Sequence, residues 1–234
     1  MKTRTTTHIL LVVSGLALAT APGHTQTDGP LQIIWQAAYG IGRVAGAAYA
    51  QPYDFAQTAD GGFVIAGMVA GGTNEMRTAP ICRGSDYYVI KIDAQGQRQW
   101  DRSYGGDSFP LEEGGGPGDS CYSAAFRADG GYVLVGISTS TTGCLKTAPL
   151  LGMPEMWAVR CDASGNALWD RSYLPTLMDF FWAFNLEPTR DGGYLACGSG
   201  APNDRSAMYY GIVKFDDQGQ QLWKIGRASC RERV

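Results

Sequence analysis

The chain has 234 residues and a formal net charge of −3, with 44% apolar and 18% charged residues, which is an ordinary balance for a folded soluble protein and excludes a disordered one. Its 32 glycines and 12 tyrosines favour an all-β chain with many turns, because glycine supplies positive φ and aromatics suit pleated, half-buried surfaces.

The first residues read as a targeting segment. Lys2 and Arg4 precede the apolar run Ile9 to Ala19, which is too short to span a bilayer and ends in small residues. Residues 1–19 are therefore expected to be a signal peptide cleaved after Ala19, and 20–30 a linker, with the mature product secreted or periplasmic. No later stretch is long and apolar enough for a membrane helix.

The next segment, residues 31–40, carries Trp35, Tyr39 and Gly40, and the same spacing returns at Trp100, Tyr104 and Gly105. Between and beyond them the punctuation recurs three times. Asp60-Gly61-Gly62, Asp129-Gly130-Gly131 and Asp191-Gly192-Gly193 each precede a short apolar run ending in glycine. A second marker follows each, at Asp93 to Gly96, Asp162 to Gly165 and Asp216 to Gly219, and each of these aspartates lies seven residues before a tryptophan, namely Trp100, Trp169 and Trp223. The markers are 33, 33 and 25 residues apart, so insertions vary while the punctuation is kept, which is how loops behave on a repeated scaffold.

Asp-Gly-Gly and Asp-x-x-Gly are hairpin chemistry: the aspartate bonds its own downstream backbone and glycine accepts positive φ. Each unit then has four strands, expected in the middle copy at about Tyr122 to Ala128, Tyr132 to Ser138, Met156 to Asp162 and Asn166 to Tyr173. Runs such as Tyr-Val-Leu-Val-Gly are apolar on both sides, as in a blade sandwiched between neighbours. The expected fold is all-β: a β-propeller fragment of three four-stranded antiparallel blades at about 53–104, 122–173 and 184–224, plus a lone N-terminal fourth strand at 31–40. In a closed propeller such a strand completes the last blade and removes an exposed edge; rings typically need about four to eight blades.

The last ten residues, 225–234, depart from this pattern and read as translated sequencing-adapter sequence, an artefact set aside from fold reasoning. Without Lys2, Arg4, Arg227, Arg231, Arg233 and Glu232 the body keeps 14 basic and 21 acidic residues, a net charge of −7. An acidic body with no basic stripe argues against nucleic acid or an anionic membrane as partner.

Asp-Gly-Gly-Tyr, a strand like Tyr87-Tyr88-Val89-Ile90-Lys91-Ile92-Asp93, Gly-x-x-x-Trp and Ser103-Tyr104-Gly105-Gly106 together resemble secreted bacterial propeller-repeat proteins related to the quinoprotein-like superfamily, over roughly residues 31 to 224. The resemblance implies the repeat and the fold; the architecture hosts enzymes, lectins and scaffolds alike. Quinone-dependent dehydrogenases of that superfamily often use an adjacent cysteine pair, which this sequence lacks, so no cofactor is expected.

Both hairpin types fall on one face, and every long connection falls on the other, the candidate functional face. Two of its loops share Arg77-Thr78-Ala79-Pro80 and Lys146-Thr147-Ala148-Pro149, read as duplicated loop structure. The only histidines are His8 and His24, which argues against histidine triads and zinc sites. Acid–base chemistry would rest on the carboxylates Asp107, Glu112, Glu113 and Asp119 in a glycine-rich loop, a pattern that suits glycoside cleavage or calcium but is more often a solvated acidic loop. Phe109, Phe180, Phe181 and Trp182 lie near the same face. An oxidising compartment allows one disulfide among Cys82, Cys121 and Cys144; Cys161 and Cys197 read as small core residues. The functional expectation is a non-enzymatic binding or scaffold module for an extracellular protein or glycan ligand; the alternatives are a glycoside-cleaving propeller using Glu112, Glu113 and Asp119, or the repeat region of a larger exported enzyme.

Overall fold

The computed structural model describes residues 11–14, 35–39, 49–70, 77–80, 82, 84–107 and 118–226. The expected signal peptide (apart from Leu11–Ser14), the linker and the adapter-like tail beyond Gly226, together with Phe109, Glu112 and Glu113, lie outside the described residues, whereas Ile225 and Gly226 of that tail are part of a strand.

Among the described residues, fourteen strands form one two-stranded ribbon and three four-stranded antiparallel sheets, each a meander in chain order. The ribbon pairs β1 (Leu11–Ser14) with β2 (Gln36–Tyr39). The first blade is β3 (Tyr49–Gln57), β4 (Phe63–Ala70), β5 (Ser85–Ile92) and β6 (Arg98–Tyr104). The second is β7 (Ser120–Phe126), β8 (Tyr132–Ser138), β9 (Glu155–Cys161) and β10 (Ala167–Tyr173). The third is β11 (Phe180–Pro188), β12 (Tyr194–Ala201), β13 (Tyr209–Phe215) and β14 (Gln221–Gly226). The chain is thus an all-β, propeller-like array, and among the described residues no helix is long and apolar enough to cross a membrane.

The turns follow from their residues. Asp60, Asp129 and Asp191 each accept the N–H two residues on, at 3.0, 2.9 and 3.2 Å, while the intervening Gly61, Gly130 and Gly192 sit at φ near 80°. The second glycine has a different reason. At Gly62, Gly131 and Gly193 a side chain would collide with a carbonyl at the end of the third strand and with Lys91, Arg160 or Lys214. Those cations reach the turn aspartates at 2.8, 2.6 and 2.8 Å, tying the third strand to the first hairpin in every blade.

Blades stack through their flat apolar faces. Val64, Ala66, Tyr87 and Val89 of the first blade meet Tyr132, Leu134, Trp157 and Val159 of the second. Val133, Val135, Met156 and Ala158 of the second meet Tyr194, Ala196, Val213 and Phe215 of the third. Period-two alternation therefore gives each blade a leading face and a trailing face, both apolar.

At the outer edge the repeat tryptophans and tyrosines make the same contact three times. Trp35, Trp100 and Trp169 lie over the turn glycines Gly96, Gly165 and Gly219 of the following blade, which leaves no room there for a β-carbon. Four residues on, Tyr39, Tyr104 and Tyr173 donate their hydroxyls to the carbonyls of those same glycines. β2 accordingly occupies the position of a fourth strand ahead of the first blade.

Cys197 departs from its expected place in the core: it is exposed, whereas its equivalents Ala66 and Val135 are buried. The reason is positional, because Cys197 lies on a face of the third blade that no further blade covers among the described residues.

Candidate functional site

On the long-loop face the shared loop motif is an anchor. Asp101 accepts the N–H groups of Thr78 and Ala79, both at 2.9 Å, the Thr78 hydroxyl, and the Tyr88 hydroxyl at 3.0 Å. Asp170 accepts the N–H of Thr147 at 3.0 Å and of Ala148 at 2.8 Å, the Thr147 hydroxyl, and Trp157 Nε1 at 2.9 Å. Burial pushes the Asp101 carboxyl upward, but the hydroxyl and amide donors outweigh it and hold the group below its ordinary value.

The basic residue that opens each motif is fully buried. Lys146 donates to Glu155 Oε1 at 2.8 Å, Ser138 Oγ at 2.8 Å and the Ser140 carbonyl at 2.7 Å, over the Trp157 ring. Arg77 occupies the same place in the first blade, over the Tyr88 ring and attracted by Asp86, which the strand register makes the counterpart of Glu155. Burial raises the Glu155 carboxyl despite the opposing attraction of Lys146. An enclosed ion pair of this kind commits its members to structure, since freeing either would leave a buried charge.

Asp119, the one member of the expected Glu112, Glu113 and Asp119 set that is described, is buried. Its Oδ2 accepts the Gly106 N–H at 3.2 Å, and its backbone N–H donates to the Ser85 carbonyl at 2.7 Å. Asp86 Oδ2 accepts the Cys82 N–H at 2.9 Å. Both carboxyls converge on Gly105: a β-carbon there would overlap Asp86 Oδ1 and fall 3.1 Å from Asp119 Oδ2. Oδ1 of each has no hydrogen-bond partner. Burial first, and then the neighbouring Asp119 charge, push the Asp86 carboxyl up to about 7, and burial raises Asp119 as well.

Cys82 and Cys144 are joined, linking the long loops of the first and second blades across 62 residues. Cys121, the third cysteine weighed for pairing, is free and buried; Cys161 is free and buried in the core. Beside the disulfide, the N–H groups of Leu145 and Lys146 donate to the Gly105 carbonyl at 3.0 Å, and Asp107 bridges to Thr141. Phe180 and Phe181 are buried in the third blade, and Trp182 is half-buried. Among the described residues no three His, Cys, Asp or Glu side chains are grouped to hold a metal.

The loop of the second blade carries apolar side chains outward among its exposed residues. Leu145, Leu151 and Met153 are 46%, 50% and 43% exposed on the cross-linked loop of the second blade. A second apolar feature runs along the first strands, which lie in contact from blade to blade. Each has a bulge at the same place, and the extra residue is aromatic: Tyr53, Tyr122 and Phe184, with ring centroids 4.6 and 5.6 Å apart. A bulge turns its extra residue away from the pleat, so three rings form one half-exposed ledge. All three stand seven residues before the aspartate of Asp-Gly-Gly, the signal by which the sequence marks them.

No protein-family model matches this chain, and no curated protein matches it.

Proposed function

We propose that the chain is an exported, non-enzymatic binding or scaffold module that contacts an extracellular protein through its long-loop face. The single observation that carries this reading is the division of labour on that face. On the duplicated loops of the first two blades the charged groups are spent on anchoring: Asp101 and Asp170 hold the loop motifs, and Lys146 is enclosed with Glu155. Leu145, Leu151 and Met153 stand outward from the second of these loops, which is held by a disulfide. A rigid loop presenting apolar side chains binds with little ordering cost, which suits protein contact better than turnover. Export rests on the charged and apolar pattern of residues 1–19, and kinship with quinoprotein-like propeller repeats rests on the Asp-Gly-Gly-Tyr and Gly-x-x-x-Trp markers.

The test is a triple variant, Leu145→Asp, Leu151→Asp and Met153→Asp, compared with the unchanged chain for retention on the envelope fraction of the cells that produce it. Retention is expected to fall at least about tenfold, equivalent to 1.4 kcal/mol. Equal retention with an unchanged melting curve removes this face as the contact surface.

A further inference from the structure

The head of the third strand is a cation seat in the second blade. Lys146 Nζ there bonds Ser138 Oγ, the Ser140 carbonyl and Glu155 Oε1 over the Trp157 ring, and all four partners belong to that same blade. The seat is therefore built within one blade, whatever stands beside it. Arg77 takes the same place in the first blade, over Tyr88 and attracted by Asp86. The pairings Val69 with Asp86, Ser138 with Glu155 and Gly200 with Tyr209 align the three blades, and they put Tyr209 where the other two carry a carboxylate. Pro202, two residues beyond Gly200, then corresponds to Ser140, two residues beyond Ser138.

The third blade makes this connection with a shorter loop, Pro202 to Met208, which lacks the Thr-Ala-Pro motif of the other two. Its one basic residue, Arg205, lies over the Phe180 ring, and Lys224 of the same blade bonds the Leu174 carbonyl at 2.9 Å. At the position of the seat the described residues form a cleft of about 500 Å³ lined by Leu177, Met178, Asp179, Pro202 and Tyr209. Two of these, Pro202 and Tyr209, are the counterparts of Ser140 and Glu155. Asp179 brings a carboxylate back to the place from another loop. It is exposed, its Oδ2 accepts the Asn203 N–H at 2.7 Å, and its own N–H donates to the Ala201 carbonyl at 3.0 Å. Leu177 is held at a φ of 66°, uncommon for a leucine, and is 61% exposed.

We propose that this cleft takes a lysine or arginine side chain of a protein partner, in the place that Lys146 fills from within the second blade. The inference rests on the reading of the long-loop face as a protein-contact surface. Asp179 pairs with the incoming charge, Tyr209 offers its ring, and Leu177, Met178 and Pro202 pack along the aliphatic stem. An exposed carboxylate suits a cation from outside better than an enclosed one, because neither ion is stripped fully of water. The chain's 22 acidic against 19 basic residues favour the same sign of partner.

Titration of the full chain, isotopically labelled at its methionine methyl groups, with a short lysine-containing peptide tests this, the Met178 signal reporting on the cleft. The same peptide with norleucine for lysine is the neutral control, and n-butylamine represents a free amine. The lysine peptide is expected to shift the Met178 signal and to bind at least about tenfold more tightly than the norleucine peptide. Asp179→Asn, a change at an exposed side chain, should bring the lysine peptide down to the level of that control with an unchanged melting curve. A Met178 signal that stays in place at every concentration, equal binding of the norleucine peptide, or undiminished binding to the Asp179→Asn chain overturns the proposal. Binding of n-butylamine as tight as that of the peptide overturns the protein source of the side chain. The titration uses no natural partner, so its failure leaves the envelope-retention result standing, and a failed retention test leaves the charge preference of the cleft standing.

Discussion

Tyr104 donates its hydroxyl to the carbonyl of Gly165 at 2.7 Å, across 61 residues and from one blade to the next. Both groups are enclosed, and Tyr173 repeats the bond to Gly219 at 2.6 Å. Tyr104→Phe keeps the ring and removes only the donor, leaving a buried carbonyl short of its partner. The expected loss is about 1–2 kcal/mol in urea unfolding, with no change in far-ultraviolet dichroism. A loss below a few tenths would mean that this bond is not what holds adjacent blades.

Reducing the Cys82–Cys144 bridge, or replacing both residues by serine, releases a loop of 62 residues. The chain-entropy relation places the cost at about 4 kcal/mol. Because the Asp101 and Asp170 anchors persist, the blades should remain folded at room temperature and the midpoint of denaturation should drop. Intact-mass measurement after alkylation under native conditions should find Cys82 and Cys144 unmodified before reduction.

Much of this fold was legible because turn chemistry is local. Asp60, Asp129 and Asp191 bond their own backbone two residues on, so three aspartate–glycine signals locate the first hairpins without knowledge of the rest. The middle blade's strands fall within two residues of expectation for the same reason. The aromatic ledge was harder to read, since a bulge depends on how two strands register and not on one residue's preference. Cys197 shows the same limit from the other side: repeat position placed it in a core, while its burial depends on whether a neighbouring blade covers it. For Arg77 with Asp86 and Lys146 with Glu155, the equal nine-residue spacing stands in the sequence, but enclosure turns it into a buried charge problem.

Gly105 carries no unusual φ, so its role is space. Alanine there would drive a methyl group into Asp86 Oδ1 and towards Asp119 Oδ2, both on rigid, buried positions. Gly105→Ala is expected to cost about 1–3 kcal/mol by overpacking. Gly192→Ala makes a useful comparison: it has open space around it but a φ of 83°, so its cost, about 1 kcal/mol, comes from backbone strain alone. If the two variants melt together with Gly192→Ala the worse, the crowding at Gly105 is not tight.

The Asp86 carboxyl sets the last expectation, a stability that declines towards neutral pH. Its folded value, pushed up to about 7 by burial and by Asp119, stands above the 3.8 of an unperturbed aspartate. Between those limits the folded chain holds a proton that the unfolded chain has released, so raising the pH favours unfolding by up to about 1.4 kcal/mol per unit crossed. Asp119 and Glu155, also raised by burial, act in the same direction. The opposite sign belongs to Asp101, held low by its hydrogen bonds: its contribution is present above the unfolded value and lost as pH falls through the folded one. Stability should therefore peak near the ordinary carboxylate range and fall as pH rises to about 7, beyond which Asp86 is ionised in both states and its share of the slope vanishes. Urea midpoints measured across that interval test the slope. Asp86→Asn, which keeps the shape and removes the titration, should flatten the slope; an unchanged slope in that variant would show that the proton is held elsewhere.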